Sequence, residues 1–258
     1  MQRYFIKSDQ LVGDQAIIIG ADVHHIRDVM RSKVGDCIIV CTPAKISYLV
    51  EIIRFESSEV KVKVVEVKSE NVELPIFVTI SQGITKGDKF DLVVQKGTEC
   101  GASGFVPVAM KRSVVKIDEQ KAKKRVARWQ RIALEAARQS HRQVVPRVMM
   151  PVDMKGFVAM ADAYDVCLFA YEAAGSQISD NCSQHALAAE IGKFASGMRV
   201  LILIGPEGGI DSSEVRMLTE AGFKAVGLGP RILRTETAPI YVMSAISYAL
   251  EIEGSGNE

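Results

Sequence analysis

Arg199-Val-Leu-Ile-Leu-Ile204 is an unbroken apolar run that ends directly on Gly205-Pro-Glu-Gly-Gly209, and no other feature of the chain restricts its fold as much. A short run without polar alternation suits a strand covered on both faces, as in a parallel sheet. Gly205, Gly208 and Gly209 permit positive φ and close approach of backbone. Asp211-Ser-Ser-Glu214 then reads as a capping box that opens a helix, and Gly222 is placed to end it. Lys224 to Leu228 rebuilds a strand, followed by the second glycine-rich stretch, Leu228-Gly-Pro-Arg-Ile-Leu-Arg-Thr-Glu-Thr-Ala-Pro239. A long helix from about Thr237 to Ile252 comes next, with Pro239 in its first turn, where a missing N–H matters little. One helix and one strand between the two loops put both on one sheet edge, beyond the carboxyl ends where open α/β sheets bind ligands. Either loop alone reads equally well as ordinary turn glycines; the pair can wrap a small cofactor with backbone groups.

The remaining pattern predicts two domains. Residues 1–70 are β-rich, with short runs at Arg3–Ile6, Ala16–Ile19, Cys37–Cys41, Ser47–Phe55 and Val60–Val67, and a short helix at His24–Arg31. Val60-Lys-Val-Lys-Val64 alternates as a strand with one wet face should. A barrel of this size serves a nucleic-acid-binding module or a structural cap. Lys68 to Leu74, closed by Pro75, is the linker candidate. Residues 71–258 alternate strand and helix, which predicts a parallel sheet with helices on both faces. Strands are expected at Ile76–Ile80, Phe105–Val108, Val166–Ala170, Val200–Ile204 and Ala225–Leu228. Helices are expected near Asp88–Cys100, Asp118–Arg142, Lys155–Ala163, Gln184–Phe194 and Ser212–Ala221. Gly97 inside the first of these costs about 1 kcal/mol against alanine, so close packing or a ligand is expected to demand it. The tail from Glu253 is expected to be disordered.

Charge narrows the partner. The net charge is +1, yet Lys111 to Arg147 holds twelve Lys and Arg against three acids, a local +9 that leaves −8 for the rest. Two readings stand: a polyanionic partner, most economically nucleic acid, or a solvated helix face. The five cysteines (Cys37, Cys41, Cys100, Cys167, Cys182) are scattered without a CxxC pair, so buried reduced thiols are expected and no structural metal. His24, His25 and His141 read as structural or RNA-facing, and Trp129 as core or interface. No apolar run approaches the length of a membrane span and the first residues lack a signal-peptide h-region, so a cytoplasmic location is expected. There is no GxGxxG, GxxxxGK[ST], GxSxG or HExxH, which argues against typical dinucleotide enzymes, P-loop proteins, serine hydrolases and metalloproteases.

The order of motifs carries a resemblance. Arg112-Ser-Val-Val-Lys116, Arg128-Trp-Gln-Arg-Ile-Ala-Leu-Glu-Ala-Ala-Arg-Gln-Ser140, Arg142 and Val145-Pro146 precede Gly205-Pro-Glu-Gly-Gly209 and Leu228-Gly-Pro-Arg-Ile-Leu-Arg-Thr-Glu-Thr-Ala238. This series resembles the RsmE-type small-subunit (16S) ribosomal RNA uridine N3-methyltransferases of the SPOUT superfamily. His24-His25-Ile, Arg31 and Gly35-Asp36 extend the likeness to the N-terminal region. Glu99-Cys-Gly-Ala102 and Lys111 depart from the family pattern outside the two loops, where they bear on RNA contacts rather than on the reaction. The ribose-methylating branch usually carries Ser-Leu-Asn where Thr235-Glu-Thr237 stands here.

The resemblance implies an α/β fold: a PUA-like β-barrel over 1–70, then a SPOUT methyltransferase domain over 71–258 with a deep C-terminal trefoil knot. It implies S-adenosyl-L-methionine as cofactor, a homodimer, and small-subunit ribosomal RNA as partner, within the assembled 30S subunit. Leu203, Ile204, Gly205, Pro206, Glu207, Gly208 and Gly209 would hold the cofactor from one loop. Leu228, Gly229, Ile232, Leu233, Thr237 and Ala238 would hold it from the other. Arg234 is the expected stabiliser of the uridine anion, with phosphate contact as its other reading. Glu236 would accept the N3 proton or orient Arg234; complementing the helix N-terminus is the alternative. Arg3, Arg27, Arg31, Arg112, Arg138 and Arg142 are the expected phosphate contacts. A catalytically silent RNA-binding assembly factor, or a SPOUT methyltransferase for another RNA, would share much of this sequence.

Overall fold

The computed structural model describes residues 1–113, 118–171 and 186–253. Val114, Val115, Lys116, Cys182, the start of the helix expected at Gln184 and the tail beyond Glu253 lie outside the described residues. The chain divides into one unit of Met1–Glu73 with Ala137–Val145, and a second of Leu74–Ala136 with Pro146–Glu258.

The first unit is one six-stranded sheet. Its strands are β1 (Arg3–Phe5), β2 (Leu11–Val12), β3 (Gln15–Ile19), β4 (Cys37–Cys41), β5 (Ser47–Phe55) and β6 (Glu59–Lys68), in the order β1-β4-β5-β6-β3-β2. Only β1 and β4 run parallel; the other pairs are antiparallel. Among the described residues β1 and β2 are not paired with each other, so the hydrogen-bonded sheet keeps two edges. The alternation in Val60-Lys-Val-Lys-Val64 holds, with Val60 and Val62 buried beside Tyr4, Ile18, Ile26 and Ile52. The helix expected at His24–Arg31 begins earlier, as α1 (Ala21–His24), and runs through a wider π turn to Val29. It stops before Arg31, which sits at φ +53. Cys41 is buried as a free thiol, but Cys37, the first residue of β4, is exposed although it shares a strand face with Cys41.

The second unit is a seven-stranded, all-parallel sheet. Its strands are β7 (Phe77–Gly83), β8 (Gly104–Ala109), β9 (Arg147–Val148), β10 (Val152–Asp153), β11 (Val166–Ala170), β12 (Arg199–Ile204) and β13 (Lys224–Val226). The order is β10-β8-β7-β12-β11-β13, with β9 also on β8. β12 lies between β7 and β11, so both its edges are paired, and its side chains from Val200 onward are buried on both faces of the sheet. Val200, Leu201, Ile202 and Leu203 are correspondingly inaccessible. Helices α2 (Lys89–Glu99), α3 (Glu119–Gln139), α4 (Met154–Val158), α5 (Ala186–Ile191), α6 (Ser212–Glu220) and α7 (Thr237–Ser247) follow the strands. α7 continues through a π-helical segment to Glu253.

Local signals are matched closely. Asp211 accepts from the Ser213 main-chain N–H at 3.1 Å, and Glu214 accepts from that of Asp211 at 3.1 Å. Gly97 is explained by packing, since a Cβ there would lie 2.7 Å from Phe105 Cε1 and 3.1 Å from Ile80 Cδ1. Boundaries shift elsewhere. α3 ends at Gln139 rather than Arg142, the strand expected to reach Leu228 stops at Val226, and the helix expected at Lys155–Ala163 splits into α4 and a 3-10 turn.

Candidate active site

Because β7, β12, β11 and β13 run parallel, their carboxyl ends share one edge, and the segments that leave it converge. They enclose a cavity of about 620 Å³, within the range of small-molecule and cofactor sites. The loop after β12 contributes Ile204, Gly205, Pro206, Glu207 and Gly209, and that after β13 contributes Leu228, Gly229, Ile232, Leu233, Arg234 and Ala238.

Close backbone approach shapes this floor. A Cβ on Gly83, the last residue of β7, would lie 2.5 Å from Pro206 Cδ, so only glycine lets the β12 loop settle there. Gly209 and Gly229 take φ +72 and +94. Gly205 and Gly208 are needed for space instead: their Cβ atoms would meet Ile210 at 2.9 Å and Arg112 at 3.0 Å. A buried joint fastens the two loops. The Thr235 hydroxyl donates to the Gly205 carbonyl at 2.6 Å, and the Gln82 amide donates to Thr235 Oγ1 at 2.6 Å and to the same carbonyl at 3.1 Å.

Charge gathers at the mouth. Lys89 Nζ lies 3.0 Å from Glu207 Oε1 and 3.5 Å from Glu236 Oε2. The hydrogen bond that Lys89 donates to Glu207, backed by both carboxylate charges, raises the pKa of its ammonium above the ordinary value. Burial pushes the Glu207 carboxyl up, but the Glu207 main-chain N–H and Lys89 outweigh it and hold it below the usual carboxylate range. Arg112 reaches the Gly208 carbonyl at 3.1 Å and Asp211 at 3.5 Å. Arg234 is exposed on the cavity wall, and no ion pair holds it among the described residues.

Not every expected residue faces the cavity. Leu203 is buried beneath it, Gly208 turns toward Arg112, Thr237 is exposed at the start of α7, and Glu236 reaches the site through Lys89. Lys89, Tyr171 and Gly227 line the site without having been singled out from the sequence; Ile210, Arg231 and Thr235 line it too, at or within the two glycine-rich motifs, without an assigned role of their own. Tyr171 follows the carboxyl end of β11, where the sheet-edge rule alone would have pointed; Lys89 has no local signal.

The arginines expected on RNA divide. Arg112 stands at the cavity and Arg31 is exposed. Arg27 is partly exposed over the Phe55 ring at 5.6 Å. Arg3 is half-buried and donates to the Arg142 carbonyl at 3.2 Å. Arg138 is paired with Asp22 and covers the Tyr4 ring. Arg142 is only 3 % exposed and paired with Glu73, whose Oε1 also accepts from the Gln143 N–H at 2.8 Å. The last two therefore hold the first unit together, and we do not retain them as phosphate contacts. Among the described residues there is no metal-binding cluster and no helix long and apolar enough to cross a membrane.

Comparison with known proteins agrees with this geometry. Residues 72–247 match the family model of the RNA methyltransferase domain. The ribosomal RNA small subunit methyltransferase E of Bacillus subtilis is 44% identical over 255 residues, covering 98% of each chain. The Neisseria gonorrhoeae enzyme of that name, crystallised with S-adenosyl methionine, superposes with a TM-score of 0.80 at 27% identity, covering 96% of this chain and 98% of its own. A putative methyltransferase from Legionella pneumophila, also with the bound cofactor, gives 0.78 at 27%, covering 96% and 97%.

Proposed function

This chain belongs to the ribosomal RNA small subunit methyltransferase E family, and from that premise we propose that it methylates N3 of a uridine in small-subunit ribosomal RNA, using S-adenosylmethionine. The observation that carries the reading is the carboxyl-edge cavity built by the two glycine-rich loops, with Arg234 on its wall. The cavity suits the cofactor on its own chemistry. Gly209 and Gly229 line it with nothing closer than 3.7 Å to where a Cβ would stand, which leaves main chain open for an adenosine and an amino acid to approach, and Ile204, Ile210, Leu228 and Leu233 offer apolar contact.

When bound, S-adenosylmethionine supplies a methyl group on a positively charged sulfur, which N3 takes with its own electron pair once its proton has left. The chain must then stabilise negative charge on the imide and receive that proton. Arg234 stabilises the anion, as a fixed cation where charge develops. Glu236, at the N-cap of α7, takes the proton or orients Arg234. Arg112 and Arg231 line the same cavity and suit the phosphates of an RNA strand. The resemblance also supports a PUA-like RNA-binding role for residues 1–70, a trefoil knot at the two loops of the 71–258 domain, and a homodimer. Exposed Tyr241, Tyr248 and Ile252 near the C-terminus are apolar surface that a second copy would cover. Sedimentation at twice the 28.2 kDa chain mass would test the dimer.

The deciding experiment uses labelled S-adenosylmethionine with small ribosomal subunits lacking the modification, naked RNA and transfer RNA, then digestion and mass spectrometry of the nucleosides. N3-methyluridine from subunits is expected. A ribose-methylated or transfer-RNA product would overturn the branch while keeping the cofactor. Cofactor binding without any methyl transfer to these RNAs would point to a missing partner or a different substrate, and no cofactor binding would favour the silent assembly factor.

A further inference from the structure

Lys89 opens α2, on the crossover that leaves β7. Glu207 belongs to the loop after β12, and Glu236 is the N-cap of α7, at the end of the loop after β13. Three separate connections of the sheet thus meet at one ammonium, at 3.0 Å and 3.5 Å. Among the described residues neither carboxylate has another cation. Glu236 is only 15 % exposed, and its Oε2 is buried without a hydrogen-bond partner, so the Lys89 charge is what compensates it. This contact differs in kind from the Gln82–Thr235–Gly205 joint beneath. That joint is neutral and largely buried, whereas the ammonium stands at the partly exposed mouth.

We propose that Lys89 is a positioning residue that clasps the two glycine-rich loops over the cofactor by holding Glu207 of one and Glu236 of the other on a single ammonium. The inference rests on the cofactor reading of this cavity. Its physical basis is that two carboxylates brought together without a cation repel, so loss of Lys89 drives the loops apart and releases what lies between them. The 3.5 Å separation from Glu236 leaves room for that contact to shorten to a hydrogen bond as the mouth closes. Placement of Glu236 toward the reacting base then depends on Lys89, although Lys89 touches no reacting atom.

The test uses the full chain and calorimetry with S-adenosylhomocysteine. Lys89→Met, which keeps the aliphatic stem, is expected to weaken binding about tenfold. Lys89→Arg should restore it to within about threefold, a rescue that a mere packing role would not give. Adding Glu207→Gln to Lys89→Met should recover part of the loss, because the uncompensated repulsion is gone. With subunits as substrate, kcat should fall in Lys89→Met even at saturating cofactor, since Glu236 loses its anchor. Wild-type affinity in Lys89→Met, or identical losses in the single and double variants, would overturn the clasp. Should Lys89→Met fail to fold, Glu207→Gln alone must weaken binding, and unchanged affinity there overturns the clasp equally. No binding of S-adenosylhomocysteine by the wild type would instead bring down the cofactor reading itself.

Discussion

A guanidinium about 4 Å from a developing imide anion is worth about 4 kcal/mol at an effective dielectric near 20, roughly three pKa units. Such a shift brings a weakly acidic N3–H within reach near neutral pH, and Arg234, like Arg231, is a cavity cation that no carboxylate neutralises among the described residues. Replacing it with alanine should lower kcat by about a thousandfold and leave S-adenosylhomocysteine affinity within about twofold. Single-turnover rates and calorimetry would show this, and equal loss of both would remove its assigned role. Arg234 and Glu236 were legible because they stand inside a local signature. Lys89 was not, since its partners lie 118 and 147 residues further along the chain and only folding brings them to it.

Within single elements, local chemistry and tertiary packing sometimes pull in opposite directions. At Gly97 in α2, helix propensity favours alanine by about 1 kcal/mol. The added Cβ, however, would lie 2.7 Å from Phe105 and 3.1 Å from Ile80, both rigid core side chains. Overpacking of this kind costs about 1–3 kcal/mol, so packing should win and Gly97→Ala should lower the urea midpoint. A rise would mean that the α2–sheet contact is slack. The capping box of α6 was readable because it needs only residues three apart. β9 and β10 were not, as two residues carry no period and owe their pairing to β8.

Across the whole molecule, cations that look alike in the sequence divide into different roles. Arg142 and Glu73 form a buried pair in the first unit, so Arg142→Ala should destabilise the protein by about 3–5 kcal/mol and leave the salt dependence of RNA binding unchanged. Arg112→Ala should barely affect stability, yet reduce the slope of log affinity against log salt by about one. Thermal melts and binding titrations across salt would separate them; the opposite pattern would reverse the assignment. A basic run reveals only that charge is present. By itself the sequence determined the parallel α/β class, the strand–glycine–helix units and their capping, because those depend on hydrophobic period and turn chemistry within a few residues. Burial of Arg142, the order of the strands and the meeting of Lys89 with Glu207 and Glu236 were decided by the tertiary structure. Each of these depends on which distant segments share an edge, and that is settled by packing the whole sheet at once rather than by any local preference.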